Sequence, residues 1–236
     1  MKYGICPLSM VPVRLDASDA SEMISQLLFG EVFTLLEVNG NWTKIQCALD
    51  GYEGWISSKQ LKTIGAREFK RIQTDCSFCL EMVQGAMGNN HYIPITLGST
   101  LPSYDGMNFE LAGKKYTYSG QVIRPTEALI NNERLIKIAR KFLFAPYLWG
   151  GRSPFGIDCS WFVQVVFKML GIPLKRDAYQ QATMGKTVKS VGKTIQGDLA
   201  FFDNDKGRII HVGIVMNDKK IIHASGQVRI LSLIHI

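Results

Sequence analysis

The sequence predicts an α+β fold in which a strand-rich N-terminal half precedes a mixed C-terminal half. Three observations predict it. Up to about residue 60 the chain is a succession of short apolar runs separated by Asn, Asp and Gly, the spacing of a small barrel. Between Thr126 and Leu170 two runs have the length and apolar period of helices. Near the C-terminal end two Ile-Ile-His runs flank N-D-K-K, the composition of a hairpin turn.

In order, the first strands are V-P-V-R, S-Q-L-L-F, V-F-T-L-L-E-V, W-T-K-I-Q-C and Y-E-G-W-I, with turns at Asn39-Gly40-Asn41 and Asp50-Gly51. A coarser version of the same texture runs from 61 to 123 and ends F-E-L-A-G-K-K-Y-T-Y-S-G. Pro125 introduces a third segment. Its first helix is expected from Thr126 to Phe142, with Ala128, Leu129, Leu135, Ile136 and Ile138 available for burial.

The third segment carries the chemistry. The stretch Y-L-W-G-G-R-S-P-F-G-I-D-C-S, Tyr147 to Ser160, delivers a cysteine to the start of an apolar, helix-length run. Asp158 or Ser160 can cap that helix, Phe162, Val165, Val166, Met169 and Leu170 form its buried face, and Gly171 and Pro173 stop it. Cys159 then sits in the first turn, where free N–H groups and the helix dipole favour thiolate over thiol. A thiolate nucleophile needs a base, and the base needs an orienting partner. His211 in R-I-I-H-V-G-I-V-M and His223 in K-K-I-I-H-A-S-G lie on the two strands of the expected hairpin. This makes Cys159 the nucleophile, His211 the general base and His223 the group that holds the His211 ring. Taken singly, each is more often a core residue; the combination and its order point to catalysis.

Composition bounds the rest. The 236 residues, 46% hydrophobic and 20% charged, can build two or three small domains. The net charge of +7 is spread along the chain, without the basic tract and interleaved aromatics of a nucleic-acid binder. Five cysteines, Cys6, Cys47, Cys76, Cys79 and Cys159, form no disulfide framework, and Cys76-x-x-Cys79 has no second pair to complete a metal site. No metal or cofactor is expected. The first twenty residues lack the apolar core of a signal peptide, and no run of about 20 apolar residues spans a membrane. The direct expectation is a soluble, cytoplasmic protein with no membrane partner.

From Tyr147 to Ser225 the chain resembles the NlpC family of papain-like cysteine peptidases. The resemblance rests on Y-x-W-G-G at Tyr147–Gly151, G-x-D-C-S at Gly156–Ser160, G-D-L-x-F-F at Gly197–Phe202, H-V-G-I at His211–Ile214, and a second histidine, His223, in the next strand. It implies a Cys-His-His triad of Cys159, His211 and His223. The family usually has Gly after D-C-S; Trp161 stands there, and a ring in the first helical turn is expected to narrow the mouth of the cleft. Arg176-Asp177 matches a recurrent R-D stretch of relatives and is read as a structural ion pair. Earlier in the chain, Q-L-L-F-G-E, N-W-T-K-I and G-Y-E-G-W-I resemble the bacterial SH3-like domain. The resulting organisation is an SH3-like barrel at 1–60, a second, divergent one at 61–123, and a papain-like α+β domain at 124–230.

Two SH3-like modules before such a domain resemble the subgroup of γ-D-glutamyl-L-diamino acid endopeptidases of the dipeptidyl-peptidase VI type. The resemblance implies hydrolysis of the bond between γ-D-Glu and Lys or diaminopimelate in murein tri- or tetrapeptides with a free N-terminal L-Ala, releasing L-Ala-γ-D-Glu in wall-peptide recycling. A buried substrate ammonium needs acidic acceptors; Asp158 and Glu22, with Tyr52 beside them and Glu31 as the alternative acid, are the candidates. Tyr147 and the Cys159 N–H are expected donors to the oxyanion, Trp149 a wall of the substrate site, and Ser160 a partner of the substrate backbone or a helix cap. The competing readings are an endopeptidase or amidase on intact peptidoglycan and a non-catalytic binder of wall peptides. The final L-S-L-I-H-I, Leu231–Ile236, is what CTG-TCT-CTT-ATA-CAC-ATC encodes, the end of a transposon-type sequencing adapter. It is expected to be non-native, so His235 is not a site residue.

Overall fold

The computed structural model describes residues 1–125 and 131–233, and the chain divides into two compact units, Met1–Pro125 and Thr126–Ile236. In the first, seven antiparallel strands, β1 (Lys2–Ile5), β2 (Met10–Arg14), β3 (Met23–Leu28), β4 (Val32–Asn39), β5 (Trp42–Cys47), β6 (Glu53–Ser57) and β7 (Lys62–Ile64), pair in the order β3-β2-β6-β5-β4-β1-β7. The five strands expected from the sequence are β2 to β6. The outer pair β1 and β7 was not expected.

Five strands supply one core: Val11 and Val13, Leu27, Phe33, Ile45 and Cys47, and Ile56. Bulges at Val13/Arg14 and Leu35/Glu37 bend the sheet around these side chains. The ladder nonetheless stays open, with β3 and β7 as its edges. Among the described residues no closed barrel is found.

The remainder of this unit is α1 (Ala66–Thr74), then β8 (Cys76–Cys79), β9 (Val83–Met87), β10 (Tyr92–Thr96), β11 (Thr100–Pro102), β12 (Asn108–Leu111), β13 (Lys114–Thr117) and β14 (Val122–Ile123). They form a four-stranded sheet, β10-β9-β13-β12, and a three-stranded one, β11-β8-β14. Ile5, Phe29 and Val32 of the first sheet region share a single cluster with Ala86, Ile95, Leu101, Phe109 and Tyr116 of the later strands. The junction is close-packed. Thr100 N–H donates to Phe29 C=O at 2.8 Å, and a Cβ on Gly30, which has φ +78°, would lie 2.0 Å from the Thr100 carbonyl oxygen. Glycine alone fits there.

The second unit comprises α2 (Asn132–Arg140), a short hairpin of β15 (Arg152–Ser153) and β16 (Gly156–Ile157), α3 (Cys159–Met169), α4 (Ala178–Gln181), and the antiparallel sheet β17 (Leu199–Asp203), β18 (Ile209–Met216), β19 (Lys220–Ser225) and β20 (Gln227–Ser232) in sequential order. Helix α2 begins later than Thr126 because Asn131 caps it, accepting from Arg134 N–H at 2.7 Å. Leu135, Ile136 and Ile138 are buried as expected, while Ala128 and Leu129 lie outside the described residues, as do Ile234–Ile236 with His235.

Helix α3 packs on β18, β19 and α2, and Phe162 meets Phe142 edge to face at 5.9 Å. Its predicted apolar face is buried, but so are Trp161, Val163, Gln164 and Lys168. The helix is therefore wrapped on nearly every side rather than laid on a surface. Gly171, at φ +81°, ends it. The β18–β19 hairpin turns through Asp218 and Lys219, both at positive φ, the twist such turns favour. Among the described residues no helix is long and apolar enough to cross a membrane.

Candidate active site

Cys159 is the first residue of α3 and only 7% exposed. Asp158 is the N-cap, its Oδ1 accepting the Trp161 N–H at 2.8 Å. The Cys159 sulfur also receives the backbone N–H of Val212, the residue after His211, and that of Ser160. The helix start is thus set against β18. Burial pushes the Cys159 thiol up to about 11, with the Asp158 carboxylate adding to the rise; the Val212 and Ser160 N–H groups and the Arg176 guanidinium oppose it. The expected preference for thiolate at a helix start is outweighed, because loss of water costs the charged form more than the helix N–H groups return. The resting group is a thiol.

His211 and His223 occupy the same face of the hairpin. Gly213 pairs with His223, which places His211 diagonally across from it. Their rings meet near the perpendicular at 81°, with His211 Nε2 and His223 Nδ1 2.8 Å apart. Gly213 makes the space: a Cβ there would come within 2.8 Å of the His223 Cβ and 2.5 Å of Ile221 Cδ1. Burial lowers the His211 pKa. Burial, then the charges of His211 and Arg229, bring His223 down to about 4. Both imidazoles are neutral near pH 7, and the engagement of Nε2 leaves Nδ1 of His211 available as a base.

Asp158, the cap the sequence offers, also anchors a buried polar network. Its Oδ1 accepts from Arg176 Nη1 at 3.1 Å and from the Ser160 hydroxyl at 3.2 Å, besides the cap bond, and its Oδ2 accepts from Arg176 Nη2. Three of these four bonds converge on Oδ1 and one reaches Oδ2, so of the roughly four lone-pair sites of the carboxylate Oδ2 keeps one open. Asp158 and Arg176 are 4% and 2% exposed. The carboxylate is therefore held in place by a buried ion pair. The Ser160 hydroxyl joins the same network, donating to Asp158 Oδ1 at 3.2 Å and accepting from Arg176 Nη1 at 3.0 Å. Arg176 takes the structural ion-pair role expected of it, with Asp158 as a partner, and Asp177 caps α4 in a box with Gln180. Gln181 was not anticipated. Buried, it donates to the Ser160 and Lys175 carbonyls at 2.9 and 2.8 Å.

Trp161 does not reach the cleft mouth. It is fully buried, with the Arg152 guanidinium carbon 3.5 Å from its ring centroid and Lys168 Nζ at 5.8 Å. Its indole N–H has no acceptor among the described residues; that omission costs about 1–3 kcal/mol, against which a desolvated cation over an indole contributes about 2 kcal/mol. Tyr147 is 36% exposed and held by a bridge to Ile157. Burial, followed by the charges of Cys159 and Asp158, pushes its phenol up to about 12, so it is a standing donor. Trp149 is 62% exposed.

The remaining predicted residues belong to the N-terminal unit. Glu22 is exposed immediately before β3, its carbonyl accepting from Leu15 N–H at 2.9 Å. Tyr52 is half-buried between β5 and β6, its N–H donating to Asp50 Oδ1 at 2.9 Å. Glu31 is buried and accepts the Leu28 N–H through Oε2 at 3.0 Å. Among the described residues no three His, Cys, Asp or Glu side chains are grouped to hold a metal.

A cysteine at a helix start with two hydrogen-bonded histidines on the adjoining hairpin is equipped for acyl transfer. Comparison with known proteins agrees. Residues 145–235 match the NlpC/P60 family, and residues 13–61 match the bacterial dipeptidyl-peptidase Sh3 domain. The chain is 30% identical over 228 residues to a γ-D-glutamyl-L-lysine dipeptidyl-peptidase of Bacillus subtilis, covering 89% of this chain and 75% of that protein. It is 28% identical over 249 residues to the protein of that name from Bacillus cereus, covering 94% and 73%. The crystal structure of an NlpC/P60 family protein from Bacillus cereus superposes with a TM-score of 0.85 at 23% identity, over 98% of this chain and 94% of that one. The chain belongs to the NlpC/P60 family of cysteine peptidases.

Proposed function

We propose that this peptidase hydrolyses the bond between γ-D-Glu and the diamino acid of murein tri- or tetrapeptides carrying a free N-terminal L-Ala, releasing L-Ala-γ-D-Glu in cytoplasmic wall-peptide recycling. The observation that carries the reading is likeness across both units: the relatives that span 89% and 94% of the chain are named dipeptidyl-peptidases, and the Sh3 match is to a dipeptidyl-peptidase module. On this reading the N-terminal unit is two SH3-like modules, the second divergent, and the catalytic unit is papain-like.

In the reaction the Cys159 sulfur attacks the γ-carbonyl carbon of D-Glu as its proton passes to Nδ1 of His211, whose Nε2–H is held by Nδ1 of His223. The Cys159 N–H and the Tyr147 phenol donate to the oxyanion. Collapse breaks the C–N bond, and His211 returns the proton to the leaving amine. His211 then takes a proton from water, whose oxygen cleaves the thioester, and the thiol is reprotonated. Transfer concerted with attack suits a thiol that rests protonated beside a neutral imidazole. Trp149 walls the substrate side. The substrate ammonium falls to Asp158 and Glu22, with Tyr52 alongside and Glu31 as the second choice of acid.

The test is release of L-Ala-γ-D-Glu from L-Ala-γ-D-Glu-diaminopimelate, beside its N-acetylated form and the Cys159→Ala variant. Cleavage of the free peptide alone, lost by on the order of 10⁴-fold or more in the variant, is the expected result. Equal cleavage of both peptides removes the ammonium site. Cleavage of intact peptidoglycan at a comparable rate replaces the reading with a wall endopeptidase.

A further inference from the structure

We infer that Arg152 and Trp161 form a positioning pair that fixes the Tyr147 phenol relative to the Cys159 thiol. The inference rests on the oxyanion and nucleophile roles proposed above for those two residues. They lie at the two ends of one short segment, and its folding determines how they face each other. Backbone bonds shape that segment: Leu148 N–H donates to Ile157 C=O at 3.2 Å, Ile157 N–H to Pro146 C=O at 3.0 Å, and Asp158 N–H to Gly151 C=O at 3.2 Å. The β15–β16 hairpin in its middle pairs Arg152 with Ile157 and Ser153 with Gly156.

Packing leaves this fold no slack. A Cβ on Gly151 would lie 2.4 Å from the Gly156 carbonyl oxygen, and one on Gly156 would lie 2.7 Å from Leu148 Cδ2. The hairpin is then free to move only as a body, rocking on α3. Arg152 opposes that motion. It leaves the hairpin for the interior, 2% exposed, and holds its guanidinium carbon over the Trp161 ring, 3.5 Å from the centroid. Trp161 stands on the first turn of α3, and its own N–H is bonded to the cap residue before Cys159. One stacked contact therefore ties the element beside Tyr147 to the turn that carries Cys159. The indole N–H has no acceptor among the described residues, so stacking and packing, rather than a hydrogen bond, set the angle of the ring. A misplacement of about 1 Å at reacting groups is enough to cost up to about a hundredfold in rate.

The experiment is steady-state kinetics on L-Ala-γ-D-Glu-diaminopimelate with Arg152→Met, Trp161→Leu and Trp161→Phe, each also in a Tyr147→Phe background, with thermal melts alongside. The expected result is a fall in kcat of about tenfold for Arg152→Met and Trp161→Leu with KM nearly unchanged. Trp161→Phe, which keeps a ring under the guanidinium, recovers most of the kcat lost in Trp161→Leu. In the Tyr147→Phe background Arg152→Met loses most of its effect, because there is no phenol left to misplace. Should Trp161→Leu fail to fold, the Arg152→Met cycle alone decides. Lower melting temperatures with kcat unchanged would overturn the inference, and so would an Arg152→Met effect that is equally large with and without the phenol. A Tyr147→Phe enzyme with undiminished kcat would overturn the oxyanion role itself, and the pairing with it.

Discussion

The two arms of the candidate site are made of opposite materials. The arm that carries Cys159 buries charge: Asp158 against Arg176, and Arg152 and Lys168 about the Trp161 ring, all four 6% exposed or less. The arm that carries His211 and His223 is packed from Val212, Gly213, Ile214, Ile221, Ile222 and Ala224. Ion pairs and stacking fix geometry with direction, as a nucleophile requires. Apolar packing holds two imidazoles neutral, as a base requires. The arms therefore fail differently when altered.

The largest effect is expected where a buried charge loses its partner. Arg176→Met leaves the Asp158 carboxylate unpaired in the interior, a loss of about 3–5 kcal/mol in unfolding free energy. The double variant Asp158→Asn/Arg176→Met removes the stranded charge and recovers more than half of that loss. Denaturant titration of the three proteins measures both. An Arg176→Met variant within about 1 kcal/mol of the parent, the range of exposed pairs, would erase the contrast between the arms.

On the neutral arm the sensitive position is an absence of side chain. Gly213→Ala drives a methyl group into the His223 Cβ and Ile221 Cδ1, and such overpacking costs about 1–3 kcal/mol. It also pushes His223 off the His211 Nε2. The fall in kcat is expected to exceed what the lost stability explains at a temperature where the variant remains folded. Full activity in a folded Gly213→Ala enzyme would show that the histidine pair tolerates displacement, and the two arms would then differ less than their composition suggests.

The neutral arm is also the one the sequence announced best. Ile-Ile-His twice, with N-D-K-K between, is local information: strand period, turn composition and the pairing of neighbours sufficed to bring His211 and His223 together. Cys159 at its helix start was legible for the same reason. The charged arm was only partly legible because its partners are distant in sequence. Nothing local says that Arg176 reaches back to Asp158 and to the Ser160 hydroxyl. Trp161 was placed at the cleft because a ring in a first turn is exposed by default; only the route of Arg152 shows why it faces inward. In the N-terminal unit alternation gave β2 to β6. The strands β1 and β7 were missed because Lys2–Ile5 and Lys62–Ile64 are too short to show a period, and the shared core through Phe29 is a tertiary fact. The buried Arg152–Trp161 contact had one legible signal, a bulky aromatic at the place where the motif resemblance implies glycine.

The resting charge state of the site gives a smaller but sharper test. Catalysis needs His211 neutral, and its pKa lies below the usual 6.5 because burial disfavours the imidazolium. The acidic limb of kcat/KM against pH is therefore expected below 6.5, with activity persisting into the range where a free imidazole is already protonated. An acidic limb above 7 would instead mean that His211 is held as a cation by a Cys159 thiolate, making the nucleophile arm the source of charge for both.

The smallest effect concerns stability rather than rate. His223 titrates at about 4 in the folded protein against its usual 6.5, so between those values the unfolded chain binds more protons than the folded one. Stability then rises with pH through this window: the contribution is complete above 6.5 and is lost as the pH falls toward 4. Asn in place of His223 can still accept a hydrogen bond through its side-chain oxygen but does not titrate. Denaturant midpoints measured from pH 7 down to pH 4 should therefore fall more steeply for the parent than for His223→Asn. Parallel curves would show that the acid sensitivity of the fold does not come from His223, and the neutral arm would then not set the acid limit.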